Sequence, residues 1–557
     1  MAADAGSSAW APLRRPAFRA LWIAQLVANL GTWAQMVGAQ WLMGDLGGGA
    51  LAVALVQTAT TLPVCLLVIP SGALGDILDR RRLLLAGQSL MLLGAGGLAL
   101  LTALGMTTQP LLLLLIGLMA VGQAVSLPSF QAIQPELVTR PEIPQAALLN
   151  GVNMNVARAI GPALGGLLIA GIGPAATFAF NTVSFLGVLV VLYRWDRPPD
   201  HRPLGAEHVV SAIRAGVRYI RHAPRFATVL ARSALFMVFA SGLWALLPAV
   251  ARGPLGLGAG GYGLLLGGIG LGAVIGAVIV PPLRDRLGSP AVVTGAMFCY
   301  AAGMLIIGVS TAIGPIIGAL VVAGTAWIAV QSTLMATAQV LLPAWTRARA
   351  LAAVQFVFMG GQALGALGWG LMANASLAAA FVIPAAGLTA ATALSLVVLP
   401  FPEIRLDMSR VRHWPAPAGV ISPDSDAGPV LVTLEWPVPL ANAEAFIEAM
   451  RAVGRARRRT GATLWGLFRD TADPTLFVES FVVANWHEHL RQHLERGTVS
   501  DQKLEARARG LLHNGEHPRV RHLIWADQPW SGDPAPEPVS VDAIEPAGRK
   551  SLTRQED

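Results

Sequence analysis

The chain has 557 residues, of which 54% are hydrophobic and 13% charged; an ordinary soluble domain is about 25% charged. The charges are split: residues 1–399 hold 21 Lys+Arg and 10 Asp+Glu, and residues 400–557 hold 19 and 22. This excludes a single soluble domain, a disordered chain and a fibrous chain, and leaves a membrane-embedded body of net +11 with a water-soluble tail of net −3. A basic surplus in such a body points to loops on one membrane face, not to nucleic acid. Cys65 and Cys299 both lie in apolar runs and are expected as small buried hydrophobes, with no disulfide or metal role.

Residues 1–19 contain basic residues but no cleavage-site pattern after a short apolar core, and read as a cytoplasmic lead-in. Apolar stretches of membrane-spanning length follow near 19–43, 51–74, 83–105, 110–132, 146–170, 175–194, 227–250, 260–282, 290–310, 314–340, 350–373 and 377–399. Helices are expected for all twelve, because every backbone group in lipid needs an internal partner. Arginines gather at alternate loops: Arg14, Arg15 and Arg19, then Arg80–Arg82, Arg140, the cluster from Arg194 to Arg225, Arg284, Arg286, Arg347 and Arg349. The other loops carry Arg252 alone, so both termini are expected in the cytoplasm. The linker 195–226 places Val209, Ile213, Val217 and Ile220 on one helical face and Arg214, Arg218 and Arg221 on another, as an amphipathic helix on the inner leaflet joining two six-helix halves, 1–194 and 227–399. An ordinary soluble connector is the alternative.

The halves carry related loops. After the second span come Gly72, Leu74, Asp76, Asp79 and Arg80–Arg82; the corresponding loop of the second half holds Arg284, Asp285, Arg286 and Gly288. A carboxylate at a helix end can pair with Arg across a closing interface, so Gly72, Asp76, Arg80, Arg81, Asp285 and Arg286 are candidates for a gate; Asp–Arg pairs at a membrane surface without a switching role are the alternative. The fifth span reads Ala157, Arg158, Gly161, Pro162, Gly165 and Gly166, small residues that admit a neighbouring helix beside a bend.

These two segments resemble signatures of the major facilitator superfamily. The first is similar to its loop between helices two and three, with Asp79 in place of a Gly and Ile77 in place of an Arg. The second is similar to the antiporter motif of its exporters, with Ala157 in place of the first Gly. The run from Pro128 to Val138, then Pro141, Glu142 and Ala146 to Asn150, together with Asn29 to Trp33, resembles the transmembrane secretion effector branch, which includes enterobactin-exporter-like proteins. The resemblance implies two six-helix halves and alternating access. It also implies proton-coupled export of an amphipathic small molecule such as a siderophore, drug or secondary metabolite, from the bacterial inner membrane.

Arg158 is costly at mid-membrane and is a functional candidate for binding an anionic substrate group; a carboxylate partner or backbone carbonyls are the alternatives. Arg232, in the first turns of the seventh span, is expected to snorkel to the interface. Gln25, Asn29, Thr32, Met36 and Gln40 share a face of the first span. With Gln57, Gln123, Asn153, Gln331, Gln355 and Gln362 they could line an uncharged, amide-rich cavity, or simply bond helix to helix. Trp33, Trp41, Trp244, Trp327 and Trp369 would add aromatic walls. No Asp, Glu or His is expected at mid-depth, so proton coupling would fall to Asp45, Asp76 or Glu136.

Residues 400–429 are a Pro-rich linker, and 430–526 read β-α-β-β-α-β: strands 430–436, 462–469, 476–483 and 520–525, with helices 441–459, 486–496 and 499–511. This is a ferredoxin-like α+β pattern that resembles dimeric α/β-barrel domains of small monooxygenases, which implies self-association through the tail. Residues 527–557 are Pro-rich and charged, as in a disordered end. His487, His489 and His493 tempt a metal reading, but no third ligand is apparent in sequence, so a solvated face is expected. The run Arg455–Arg459 reads as an exposed helix end, with a face toward anionic lipid or a partner as the alternative. No catalytic constellation, metal or cofactor is expected. The competing reading is a membrane-anchored enzyme or ligand-binding protein whose tail carries the activity.

Overall fold

A computed structural model describes residues 10–77, 79–195, 218–343, 346–401, 427–513 and 516–526. They fall into two compact units: a helical body that reaches to about residue 404, and a unit built from the C-terminal residues.

The body consists of α1 (Pro16–Asp45), α2 (Ala50–Ile77), α3 (Arg80–Ala103), α4 (Gln109–Ile133), α5 (Ile143–Gly171), α6 (Pro174–Arg194), α7 (Pro224–Arg252), α8 (Ala259–Val309), α9 (Ile313–Leu341), α10 (Arg347–Ala375) and α11 (Ala379–Val398). Ten of these, α2 to α11, are long and apolar enough to cross a membrane. The 30-residue α1 is not among them because its polar residues dilute its apolar ones. The 51-residue α8 breaks at Gly288, whose φ of 81° is left-handed backbone that only glycine adopts readily. Prolines inside α2, α5, α7 and α11 are compatible with buried membrane-type helices, whose freed carbonyls find other donors.

Packing within the first half rests on Leu84, Leu98, Leu112, Phe178 and Val188. In the second half Trp327 of α9 is the hub. It stands 5.6 Å from Phe236, 6.1 Å from Tyr300 and 6.0 Å from Phe358, centroid to centroid. Asp79, found where the related loop has glycine, caps α3 by accepting a hydrogen bond from the Arg82 amide at 2.9 Å.

Two expectations about the body are corrected. Arg232 does not snorkel: it is 1% exposed, and its guanidinium donates to the carbonyls of Leu399 and Ser395 at 2.9–3.1 Å. It neutralises the C-terminal end of α11, where carbonyls lack helical partners. Cys299 is exposed on the outside of α8, whereas Cys65 is buried. The amphipathic linker lies largely outside the described residues, including Val209, Ile213, Arg214 and Val217.

The second unit contains β1 (Val430–Pro437), α12 (Ala443–Thr460), β2 (Leu464–Arg469), β3 (Leu476–Val483), α13 (Trp486–Leu494), α14 (Val499–Arg509) and β4 (Arg519–Ile524). The sheet is antiparallel in the order β2-β3-β1-β4. The strict alternation of burial along β1 turns Val430, Val432, Leu434 and Trp436 into a core shared with Phe446, Met450 and Val453 of α12. Arg457 is not part of an exposed run. It is 4% exposed and bonds Glu479 at 3.0 Å and Glu505 at 2.6 Å, while Arg459 pairs with Asp501. Burial of these charges is tolerable because each has a partner.

Candidate functional site

In chain order the first half of the body, α1–α6, meets the second, α7–α11, along α5 against α8 and α2 against α10. Gly161 and Gly165 of α5 lie so near α1 that an added Cβ would stand 2.5 Å from the Trp33 Cβ and 2.7 Å from the Ala34 carbonyl. Gly166 faces the other half, where the same atom would stand 2.8 Å from the Gly263 Cα. Ala157 is fully buried, and Pro162 is buried inside the helix. The next crossing brings Gly270 of α8 onto Ala159, with a hypothetical Cβ 3.0 Å from its carbonyl oxygen. Small residues thus let two backbones touch across the interface between the halves.

Arg158 sits between these contacts, near the middle of α5. Its guanidinium lies 5.8 Å from the Trp33 ring, and among the described residues no carboxylate pairs with it. Trp33 faces Trp244 of the other half at 5.8 Å, and Trp244 meets Trp327 at 5.5 Å. The cation therefore tops an aromatic cluster contributed by both halves.

The amides separate into distinct groups. Gln25 donates to Asn29 at 3.1 Å, Asn29 to Asn153 at 2.8 Å, and Asn153 to the Trp22 carbonyl at 2.9 Å. This chain borders a cleft lined by Phe18, Trp22, Gln25, Phe130 and Asn150, and the Gln25 Oε1 has no hydrogen-bond partner there. Gln57 is buried in α2 with its Oε1 also unpartnered. Gln123, Gln331 and Gln355 are half-buried on α4, α9 and α10 and do not join the chain. Gln40 does not line an open cavity with the others: it is 1% exposed, accepts from the Tyr262 hydroxyl at 2.6 Å and donates to the Trp244 carbonyl at 3.3 Å.

Gln40 belongs to a seam at the arginine-poor end of the bundle. There Arg252 of α7 lies over the Trp41 ring at 3.7 Å, donates to the Trp41 carbonyl and pairs with Asp45 at 2.8 Å. Trp41 stacks with Tyr262 at 6.1 Å. The sequence flagged Arg252 as a loop charge but carried no sign that it reaches across to α1. At the arginine-rich end several ion pairs and Arg–carbonyl bonds join elements of the same half. Arg15 bonds Glu142 at 2.6 Å, Arg80 bonds Glu136 at 2.8 Å, and Arg81 donates to the Leu192 and Tyr193 carbonyls at the end of α6. The Arg15 contact, with bonds from Thr139, holds the Glu142 carboxyl down at about 2. Asp285 and Arg286 are exposed beside the Gly288 break. Gly72 and Asp76 fall in the last turns of α2, and their side chains lie outside the described residues.

Removing the Arg252 side chain deletes a half-exposed ion pair, worth about 0.2–1 kcal/mol, and a cation–π contact of about 0.5–1 kcal/mol. Arg252→Ala is therefore expected to loosen the arginine-poor seam several-fold. In a background lacking Cys65 and Cys299, a cysteine placed at Gln40, which is 1% exposed and meets Tyr262 across the seam, should react faster with an impermeant maleimide when Arg252 is Ala. An unchanged rate would show that the seam does not depend on Arg252.

In the second unit the expected solvated histidine face is corrected. His489 is 0% and His493 8% exposed, because α13 turns this side onto the sheet. His487 is half-buried on a different side of the helix.

Comparison with known proteins agrees with this architecture. A family model described as transmembrane secretion effector matches residues 7–530. The Staphylococcus aureus staphyloferrin A transporter is 30% identical over 29% of this chain and 42% of its own. The multidrug efflux pump Tap of Mycolicibacterium fortuitum is 28% identical over 40% and 55%. The enterobactin exporter EntS of Shigella boydii serotype 18 is 28% identical over 47% and 62%. The chain thus spans about half the length of the curated relatives it matches. Among solved structures, the nucleoside transporter NupG superposes with a TM-score of 0.58 at 10% identity, covering 69% of this chain and 100% of that one. A bacterial homologue of the human lysosomal transporter Spinster, inward-facing and unoccupied, gives 0.54 at 14% identity, covering 70% and 96%. Likenesses at such identities concern the fold alone. With the family model covering nearly the whole sequence, the chain belongs to the transmembrane secretion effector family of major facilitator transporters.

Proposed function

We propose that this protein is a secondary transporter that exports an anionic amphipathic small molecule by alternating access, and that Arg158 binds the anionic group. The observation that carries this reading is the position of Arg158: near the middle of a helix at the interface between the halves, over Trp33, without a carboxylate partner among the described residues. An arginine at the centre of a membrane helix costs about 2.5–3.5 kcal/mol. Its cation–π contact, at 5.8 Å near the outer limit of about 6 Å, returns about 0.5–2 kcal/mol. The remainder is a site that a substrate anion can neutralise, while the aromatic cluster accepts an apolar body. The relatives named for siderophores and for drugs support an amphipathic cargo and the outward direction.

In this proposal the membrane body has twelve spans: the ten apolar helices with α8 counted as two arms at Gly288, plus the polar α1. Both termini and the arginine-rich end lie in the cytoplasm. The arginine-poor seam around Arg252, Gln40 and Tyr262 is then the closed outer gate, and the conformation described is open inward. The loop residues Asp76, Arg80, Arg81, Asp285 and Arg286 close the cytoplasmic side in the opposite state. Export is coupled to protons. Asp45 is a carboxylate that bridges the halves, and protonating it removes one of the acceptors holding Arg252. The C-terminal unit is a ferredoxin-like domain, by its β-α-β-β-α-α-β order and its 2-3-1-4 sheet.

Inverted membrane vesicles energised with a pH gradient test this reading. Vesicles containing the protein are expected to accumulate anionic amphipathic probes, and an uncoupler should abolish the accumulation. Equal uptake by vesicles lacking the protein, across siderophore-like and drug-like anions, would contradict it.

A further inference from the structure

The geometry points to a three-histidine site for a divalent transition metal in the C-terminal unit, formed by His489 and His493 of α13 and His522 of β4. One ligand atom from each ring lies within 4.8 Å of the others. The ring centroids are 4.5 Å apart for His489–His493, 4.8 Å for His489–His522 and 5.9 Å for His493–His522.

The local fold explains how they meet. His489 and His493 stand four residues apart and so occupy one face of α13, which Asn485 starts by capping the Glu488 amide. The register pairs His522 with Val432, whose side chain is 2% exposed and faces the core. Directly opposed residues share a sheet face, so His522 points to the same side. That is the side on which α13 buries its two histidines.

His489 is the second, independent observation. Its ring is 0% exposed, and neither Nδ1 nor Nε2 has a hydrogen-bond partner. A buried imidazole with both nitrogens unsatisfied is costly, and native interiors rarely tolerate that without a role. The Nε2 of His522, at the half-buried rim, is also unpartnered. Burial first, and then the neighbouring His522 and Arg457, lowers the His489 pKa to about 3, and burial lowers that of His522. Neutral rings are the ligating form. The charge of Arg457 is answered by Glu479 and Glu505, so an incoming cation does not meet an isolated positive group.

Three neutral imidazoles without a carboxylate suit zinc, copper, nickel or cobalt and not the oxygen-seeking magnesium or calcium. Metal–nitrogen bonds of about 2.0–2.1 Å require the three nitrogens to sit roughly 3.3 Å apart. Closure from the present spacing needs side-chain shifts on the order of an ångström. Three protein ligands would leave a further coordination position for water or an exogenous group.

The test uses tag-free full-length protein in detergent, stripped with a chelator and titrated with Zn²⁺ by calorimetry and with Co²⁺ by visible absorption. One equivalent is expected to bind, with the Co²⁺ absorption of a nitrogen-ligated, low-coordinate ion. His522→Gln, a near-isosteric change at the half-buried edge strand, should weaken binding at least about tenfold, as should His489→Ala. His487→Ala, on the same helix but outside the cluster, should leave both readouts unchanged. Absence of a saturable Co²⁺ spectrum in the wild-type protein, or equal binding by wild type and the folded His522→Gln protein, would overturn the assignment.

Discussion

Arg158→Gln is expected to reduce export of an anionic substrate by at least tenfold while leaving the protein in the membrane. The glutamine keeps hydrogen-bonding capacity but removes the charge. A hydrogen bond to a charged group contributes about 1.5–3 kcal/mol, and 1.4 kcal/mol corresponds to tenfold in affinity. The loss should appear mainly as a raised half-saturation concentration, because the arginine acts on binding. Arg158→Lys keeps the charge but gives up the planar fork over Trp33, and should retain an intermediate level. The measurement is initial uptake into inverted vesicles across a substrate range, normalised to transporter amount. Wild-type kinetics in Arg158→Gln would assign the arginine to structure alone. The rival explanation, that the cation serves helix packing, predicts lower protein yield and no dependence on substrate charge.

The second large effect concerns Gly166. Its missing side chain lets α5 approach Gly263 of α8, and an added Cβ would lie 2.8 Å from the Gly263 Cα, backbone against backbone. Neither partner is a flexible side-chain tip that could swing aside. Gly166→Val is therefore expected to push the halves apart along α5 and α8 and to abolish transport, whatever the substrate. Gly263→Val should do the same, since its Cβ would meet the Gly166 Cα at 3.0 Å. Gly267 has no atom within 4 Å of a hypothetical Cβ, so Gly267→Ala on the same helix should transport normally. Full activity in Gly166→Val would mean that the close crossing is dispensable. Loss in Gly267→Ala would mean that helix propensity, and not the crossing, is responsible.

Much of this was legible in the sequence for a physical reason. Spans announce themselves because lipid demands about 20 apolar residues in a row, and Gly161, Gly165 and Gly166 declare a tight crossing because little else favours glycine inside a helix. The departure of Asp79 from the related loop turned out to be a helix cap, a local effect of the kind sequence can suggest. What stayed hidden depends on which helix faces which. Arg232 looked like an interfacial arginine until α11 brought the Leu399 carbonyl to it. Gln40 looked like part of a continuous polar stripe, yet it is consumed by Tyr262 from the other half. The third histidine of the C-terminal cluster lies on another element, and only the pairing of His522 with Val432 turns it toward α13. Arg457, in a run of basic residues, had its carboxylates on β3 and α14.

A matched pair of substrates tests charge recognition at Arg158 most directly. Purified protein in proteoliposomes would be offered an amphipathic aromatic acid and its neutral methyl ester, with export driven by the same imposed pH gradient. Saturable transport of the acid, competition by other anions of similar size, and no protein-dependent transport of the ester are expected. Equal transport of acid and ester, or transport of the acid that persists in Arg158→Gln, would contradict it.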